Sequence, residues 1–290
     1  MVPPATPHAP FGANASFDFG PPGAPAGFAL PAGTAVGQNV FVGCRSSARE
    51  PWSLLPFFTP TADGPQPLPK GRFGRFLAWA GDKWMIGPLV FKLCTPFSLE
   101  PGDEPFRYAP VICGYLEYDN THSADTAELI FGLGGPAEPL VSDKSLVGFS
   151  FGNTHGFATT ASSEIECRSD ADLFETEIGP AAALHVTVPP HAKRIHPLVL
   201  GVFQAGFHYA QFFTGLSAAL SHGLAQHSRY LALADARDSE FMRSSLDFDA
   251  KVRAAQEIRA WLAHTRRLTG EPEIDLTALR SLMRSVVPPA

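Results

Sequence analysis

The chain has 290 residues, 45% hydrophobic and 17% charged, with 22 basic and 28 acidic side chains and a net charge of −6. Such a chain can bury a core; global disorder needs low hydrophobicity with high charge. The acidic balance argues against a nucleic-acid surface, which needs a clustered positive field.

Half of the 28 prolines fall in the first 70 residues. Proline lacks an N–H and clashes with a preceding helical turn, so this stretch reads as loops, turns and edge strands. Pro21-Pro22-Gly23 and Asp63-Gly64-Pro65 punctuate it, with β-prone runs at 14–19 and 39–42 between them. From 72 to 205, short apolar runs alternate with turn residues, at 73–80, 83–94, 111–118, 126–132, 156–161, 182–188 and 197–203. Residues 183–188 and 195–203, joined through Pro189-Pro190-His191-Ala192-Lys193, read as a hairpin. Strands spaced by turns with no helical pattern between them predict an antiparallel β-sandwich.

After Phe207 the composition changes. Leu216, Leu220, Leu224, Tyr230 and Leu231 form a helical stripe. Asp247 or Asp249 is placed to cap a second helix with Val252, Ile258, Trp261, Leu262 and Leu268 on its face. A third follows Asp275, with Leu276, Leu279, Leu282, Met283 and Val286. The expected fold is mainly β with C-terminal helices, a sandwich over 1–209 and helices over 210–290. Cys44, Cys94, Cys113 and Cys167 have no zinc spacing and read as free thiols. The chain shows neither a secretory signal nor a long apolar run, so a cytoplasmic protein without membrane contact is expected.

Several segments resemble glycoside hydrolase family 52, the bacterial β-xylosidases. Residues 7–17, PHAPFGANASF, are similar to its HHSPxGAxASF opening, and residues 38–43, QNVFVG, to its QNVFIG. Leu54-Leu55-Pro56-Phe57 resembles ILPF, and Trp84-Met85-Ile86-Gly87 resembles WxxG. Residues 148–152, GFSFG, with Gly156-Phe157-Ala158, are similar to GxGxG…GIA, and Ile258-Arg259-Ala260-Trp261 sits where the family has IRSY. The resemblance implies a sandwich, linker helices and a large helical barrel, and retaining hydrolysis of β-xylosides by two barrel carboxylates. The nucleophile-bearing NEGEYRMMNTFDLT-like segment has no counterpart after Glu273, where the chain runs into Ile274-Asp275-Leu276-Thr277. A truncated or divergent member without the catalytic barrel is therefore expected.

Retaining hydrolysis needs a carboxylic acid and a second carboxylate roughly 5 Å apart across the sugar bond. Glu271 and Glu273 are the carboxylates nearest the family's nucleophile position. Their alternative role is a solvated loop between helices. Gly148-Phe149-Ser150-Phe151-Gly152 fits the GxSxG elbow of serine hydrolases, with Ser150 as nucleophile and His155 as base. The segment that follows has no clear helix, and the resembling family has glycine at the serine position. His185, His191 and His196 match no zinc spacing, so no metal is expected. His8, Asn14 and Asn39 lie in the segments most like the family and are the candidate substrate contacts. The expected ligand is a small glycoside or oligosaccharide, with no cofactor. A carbohydrate-binding or assembly module without chemistry is the alternative function. The helical stripes need a partner surface, so a homodimer through the C-terminal helices is also expected.

Overall fold

A computed structural model of the chain describes residues 7–19, 26–31, 40–55, 58–61, 64–67, 73–100, 102–142, 145–171 and 181–286. Two antiparallel sheets face each other. The first has eight strands in the order Glu138–Ser142, Leu146–Phe151, His155–Thr160, Lys193–Val202, Val111–Asp119, Leu89–Cys94, Gly81–Ile86 and Phe73–Leu77. The second has seven, in the order Ile165–Ala171, Ala181–Val188, Ala127–Gly134, Val40–Arg45, Ser53–Leu55, Phe58–Thr61 and Gly64–Pro67. A short pair, Ser16–Asp18 with Gly27–Ala29, completes the β structure.

Alternation along the strands decides what fills the space between the sheets. Leu129, Phe131 and Leu133 point inward from the second sheet, and Phe91 and Phe157 meet them from the first. The Phe131 ring lies 6.0 Å from Phe91 and 5.0 Å from Phe157. Trp84 stacks on Phe91 at 5.3 Å. The phenylalanine excess is thus largely core, with Phe76 and Phe248 exposed among the described residues.

Five α-helices are found among the described residues, the second and third of them packed on the outer face of the eight-stranded sheet. They are α1 (Glu104–Arg107), α2 (Leu216–Ala225), α3 (His227–Met242), α4 (Phe248–His264) and α5 (Thr277–Val286). The end of Lys193–Val202 is apolar on both faces because both are covered: Leu198 and Leu200 face the sandwich core, while Val199 and Gly201 meet α2. A β-carbon on Gly223 of α2 would fall 2.7 Å from Val199 Cγ1, so glycine permits this close approach. Tyr230 of α3 stacks on Phe106 at 4.2 Å and donates its hydroxyl to the Phe106 carbonyl at 2.9 Å. Asp247 caps α4 by accepting from the Ala250 amide at 2.8 Å.

Three expectations need correction. Residues 183–188 and 195–203 form no hairpin: Ala181–Val188 pairs with Ala127–Gly134, and Lys193–Val202 pairs with Val111–Asp119. Pro189 and Pro190 lack N–H donors and His191 has φ 57°, so this turn carries the chain from one sheet to the other. The run 83–94 is two strands, because Gly87, with φ 54°, and Pro88 make a hairpin turn inside it. The stripe 216–231 is two helices, broken at Gln226.

The apolar stripes lie inside their own chain. Leu216 and Leu220 are buried against the sheet, and Ile258, Leu262, Leu279 and Met283 join the same core. This removes the reason for expecting a dimer through these helices.

Gly223→Ala should destabilise the protein by about 1–3 kcal/mol through overpacking, outweighing the gain of up to about 1 kcal/mol in helix propensity. A lower urea midpoint with an unchanged slope is the expected reading; an unchanged midpoint would show that α2 can move away from the sheet.

Candidate functional site

His8 is fully buried, and its surroundings are polar. Its backbone pairs with Phe17, its Nδ1 lies 3.1 Å from Thr95 Oγ1, and its Nε2 lies 3.3 Å from Asp82 Oδ2 and 3.2 Å from Arg259 Nη1. Arg259 comes from α4 and is also fully buried. It donates to Asp82 Oδ2 at 2.8 Å, to the Trp79 carbonyl at 2.9 Å and to the Ala78 carbonyl at 2.7 Å. Arg75 adds a second guanidinium on Asp82 at 3.0 Å. Burial pushes Asp82 up, but Arg259, His8 and Arg75 hold it well below the usual carboxylate range. Burial, and then the Arg259 charge, lower His8 to about 4, so its imidazole is neutral near pH 7.

Neither Asp82 nor Arg259 was singled out in the sequence as a candidate. The available signal was an arginine within the buried stripe of α4, between Ile258 and Leu262. Asn14 sits nearby with φ 48°, and its amide donates to the Thr265 carbonyl at 2.7 Å. Asn39 lies outside the described residues.

The second cluster holds Glu271 and Glu273. Glu271 Oε2 accepts from the Leu268 amide at 2.8 Å, closing its own turn, and Oε1 lies 3.7 Å from Arg266. Glu273 Oε2 lies 3.8 Å from Nη1 of the buried Arg107. The Arg107 guanidinium sits over Phe11 and Tyr108, at 5.3 and 5.4 Å. Arg267 covers Tyr108 at 4.7 Å and reaches Glu104 at 3.1 Å. Arg267 and His208 hold Glu104 below its ordinary value, the direction opposite to that of a proton-donating acid. This cluster fastens the N-terminal segment, α1 and the end of α4 through cation–π and ion-pair contacts.

Ser150 and His155 lie in adjacent strands. The register pairs Ser150 with Gly156 and Phe151 with His155, so the serine and histidine side chains point to opposite faces of the sheet. Ser150 is buried in mid-strand, with no strand-to-helix elbow. His155 stacks on Phe151 at 5.2 Å, and burial lowers it to about 4. His185 and His196 stand in different sheets, the first bonded to Glu128 at 2.6 Å and the second 3.8 Å from Glu164. Among the described residues, no group of three or more His, Cys, Asp or Glu is placed to hold a metal ion.

Among the described residues, two carboxyls are raised, Asp18 and Asp238, each pushed to about 6 chiefly by burial. Asp235 and Asp238 lie one turn apart on α3, beside a groove of about 510 Å³ at the sheet edge. Both line this groove. Both are already engaged: Asp238 Oδ1 accepts from the Ala80 amide at 2.7 Å, and Asp235 Oδ1 holds Lys92 at 2.5 Å. They join α3 to the sheet.

With this geometry in view, comparison with known proteins is informative. The profile of glycosyl hydrolase family 52 matches residues 17–274, most of the chain. The chain belongs to glycosyl hydrolase family 52. It is similar to a β-xylosidase of Geobacillus stearothermophilus, 23% identical over 90% of this chain and 52% of that protein. A second β-xylosidase of the same organism is also 23% identical, over 91% of this chain and 45% of its own. The chain spans about half the length of the curated relatives it matches. The family match contains Ser150, His155, Glu271 and Glu273, while His8 and Asn14 precede it.

The Arg259 cluster yields two measurements. Arg259→Met leaves Asp82 with one guanidinium in place of two and should cost about 3–5 kcal/mol in urea unfolding. His8→Gln keeps polar contacts but does not titrate. The folded histidine value is depressed, so its stabilisation is complete above pH 6.5 and lost as pH falls toward 4. The stability gap between wild type and His8→Gln should narrow across that window by on the order of 3 kcal/mol. A gap that does not change with pH would mean that His8 titrates normally in the fold.

Proposed function

We propose that this chain serves β-xyloside chemistry as the sandwich-and-helix part of a family 52 hydrolase, holding sugar rather than cleaving it. The observation that carries this reading is the use to which its carboxylates are put. Glu271 closes a turn and also faces Arg266, Glu104 is held low by Arg267 and His208, and Asp235 and Asp238 tie α3 to the sheet. Hydrolysis needs one carboxyl free to give up a proton and another free to attack or to activate water. These four carboxylates are already bonded and so are not free for either role. The β-xylosidases it resembles support a xyloside as the sugar.

The thiols support a reducing compartment, the cytoplasm. Cys44, Cys94 and Cys113 are free and buried, and burial pushes Cys44 and Cys94 up to about 12, which makes them unreactive.

The purified chain, assayed on aryl β-xylosides, should show no turnover above the uncatalysed rate. Turnover that disappears in Glu271→Gln or Glu273→Gln would overturn the reading. On aryl esters, Ser150→Ala should change nothing, and an esterase activity lost with that substitution would restore the serine mechanism.

A further inference from the structure

Five large apolar side chains are exposed among the described residues, and three of them line one groove: Phe76 at 45%, Met85 at 38% and Met242 at 48%. It is the groove beside α3. Its volume of about 510 Å³ lies within the range of about 300–1,000 Å³ typical of small-molecule sites. Strand pairing builds its floor. Phe76 stands opposite Lys83, and Lys83 opposite Lys92, so the three form one row across the outer face of the eight-stranded sheet. Met85 follows Lys83 on the same face, and α3 supplies Asp235, Asp238 and Met242 as the facing wall.

The polar groups of this groove are unevenly matched. Two ammonium groups placed directly opposite each other repel. Lys92 is answered by Asp235 at 2.5 Å. Asp238 is turned to the backbone, accepting from the Ala80 amide at 2.7 Å. Lys83 makes no hydrogen bond or ion pair with the described residues. A cationic ligand would therefore find both carboxylates engaged and an ammonium against it. A neutral apolar ligand would cover Lys83 without replacing its water, which costs free energy. A ligand with a carboxylate at one end and an apolar body matches both the unpaired ammonium and the exposed side chains. Methionine is unbranched and adapts to an irregular partner, so a flexible chain suits Met85 and Met242.

We propose that this groove binds a small alkyl carboxylate, with its anionic head on Lys83 and its tail along Phe76, Met85 and Met242. The assignment is independent of the sugar reading given under Proposed function.

Calorimetric titration of the full chain with octanoate, kept below the concentration at which it forms micelles, tests this. Saturable binding is expected, and it should weaken as salt is raised. Lys83→Met keeps the length of the side chain and adds apolar surface. It should weaken binding about tenfold or more, whereas a merely apolar patch would bind as well or better. Phe76→Ala should weaken binding about fivefold. Phe76 is exposed and Lys83 is partly so, and neither substitution should unfold the chain. Octylamine has the same tail and the opposite charge, and should bind at least tenfold more weakly than octanoate. Absence of saturable octanoate binding overturns the proposal, as does affinity unchanged or raised in Lys83→Met. Octylamine binding as tightly as octanoate overturns the anionic head. Binding to phosphatidylglycerol vesicles without binding of free octanoate would assign the face to a membrane surface and overturn the small-molecule site.

Discussion

The structure depends on one buried ion pair, Arg259 with Asp82. Burying two charges costs several kcal/mol per ion, and their attraction offsets this only when the remaining donors are also satisfied. Arg259 meets that condition by reaching Asp82, two backbone carbonyls and His8 together. Those partners lie far apart in sequence. His8 belongs to the N-terminal segment, Ala78 and Trp79 to the end of the edge strand's hairpin, and Arg259 to α4. The helices therefore cannot leave the sandwich without exposing a charged group to an apolar interior. This constraint makes sheet and helices one core.

The same economy of charge bears on function. Perturbed acidity is commonly taken as a mark of an active site. Here Asp82 is depressed and Asp18 and Asp238 are raised, and each shift has a structural cause. Asp82 is surrounded by cations, and Asp238 is buried while accepting from the Ala80 amide. Asp238 already accepts from the Ala80 amide, and Asp82 is held ionised by its cations, so neither is placed to protonate a leaving group. Glu271 and Glu104 are occupied in a comparable way. The charges near α1, α3 and α4 are joints between elements.

Much of the fold was legible because its signals are local. Apolar alternation and turn residues mark the strands, Asp247 and Asp275 mark two helix starts, and the change after Phe207 marks where helices begin. What failed was pairing. The sequence near Pro189 looks like a hairpin turn, yet whether two strands pair or pass to opposite sheets is set by surfaces distant in the chain, such as Ala127–Gly134 and Val111–Asp119. The candidate residues divide on similar lines. His8 was found through a motif, but its meaning needed Asp82 and Arg259, which are far away in sequence. Ser150 matched a pattern, and only the strand register shows that its side chain and that of His155 face apart.

The open end of the sandwich completes this division. In the interior, Arg259, Asp82 and His8 are bonded to one another, so a ligand there would have to displace a structural bond. At the cleft Arg45, Glu50 and Ser53 stand on the rim, over the buried Ile86 and Tyr118. Arg45 is held by Glu128, Ala48 and Trp52 without being enclosed, and it is half-buried rather than buried. A binding site needs this combination of fixed geometry and accessible atoms. The Arg259 cluster has the first and lacks the second. The groove beside α3 is accessible, but its carboxylates are already bonded to the sheet.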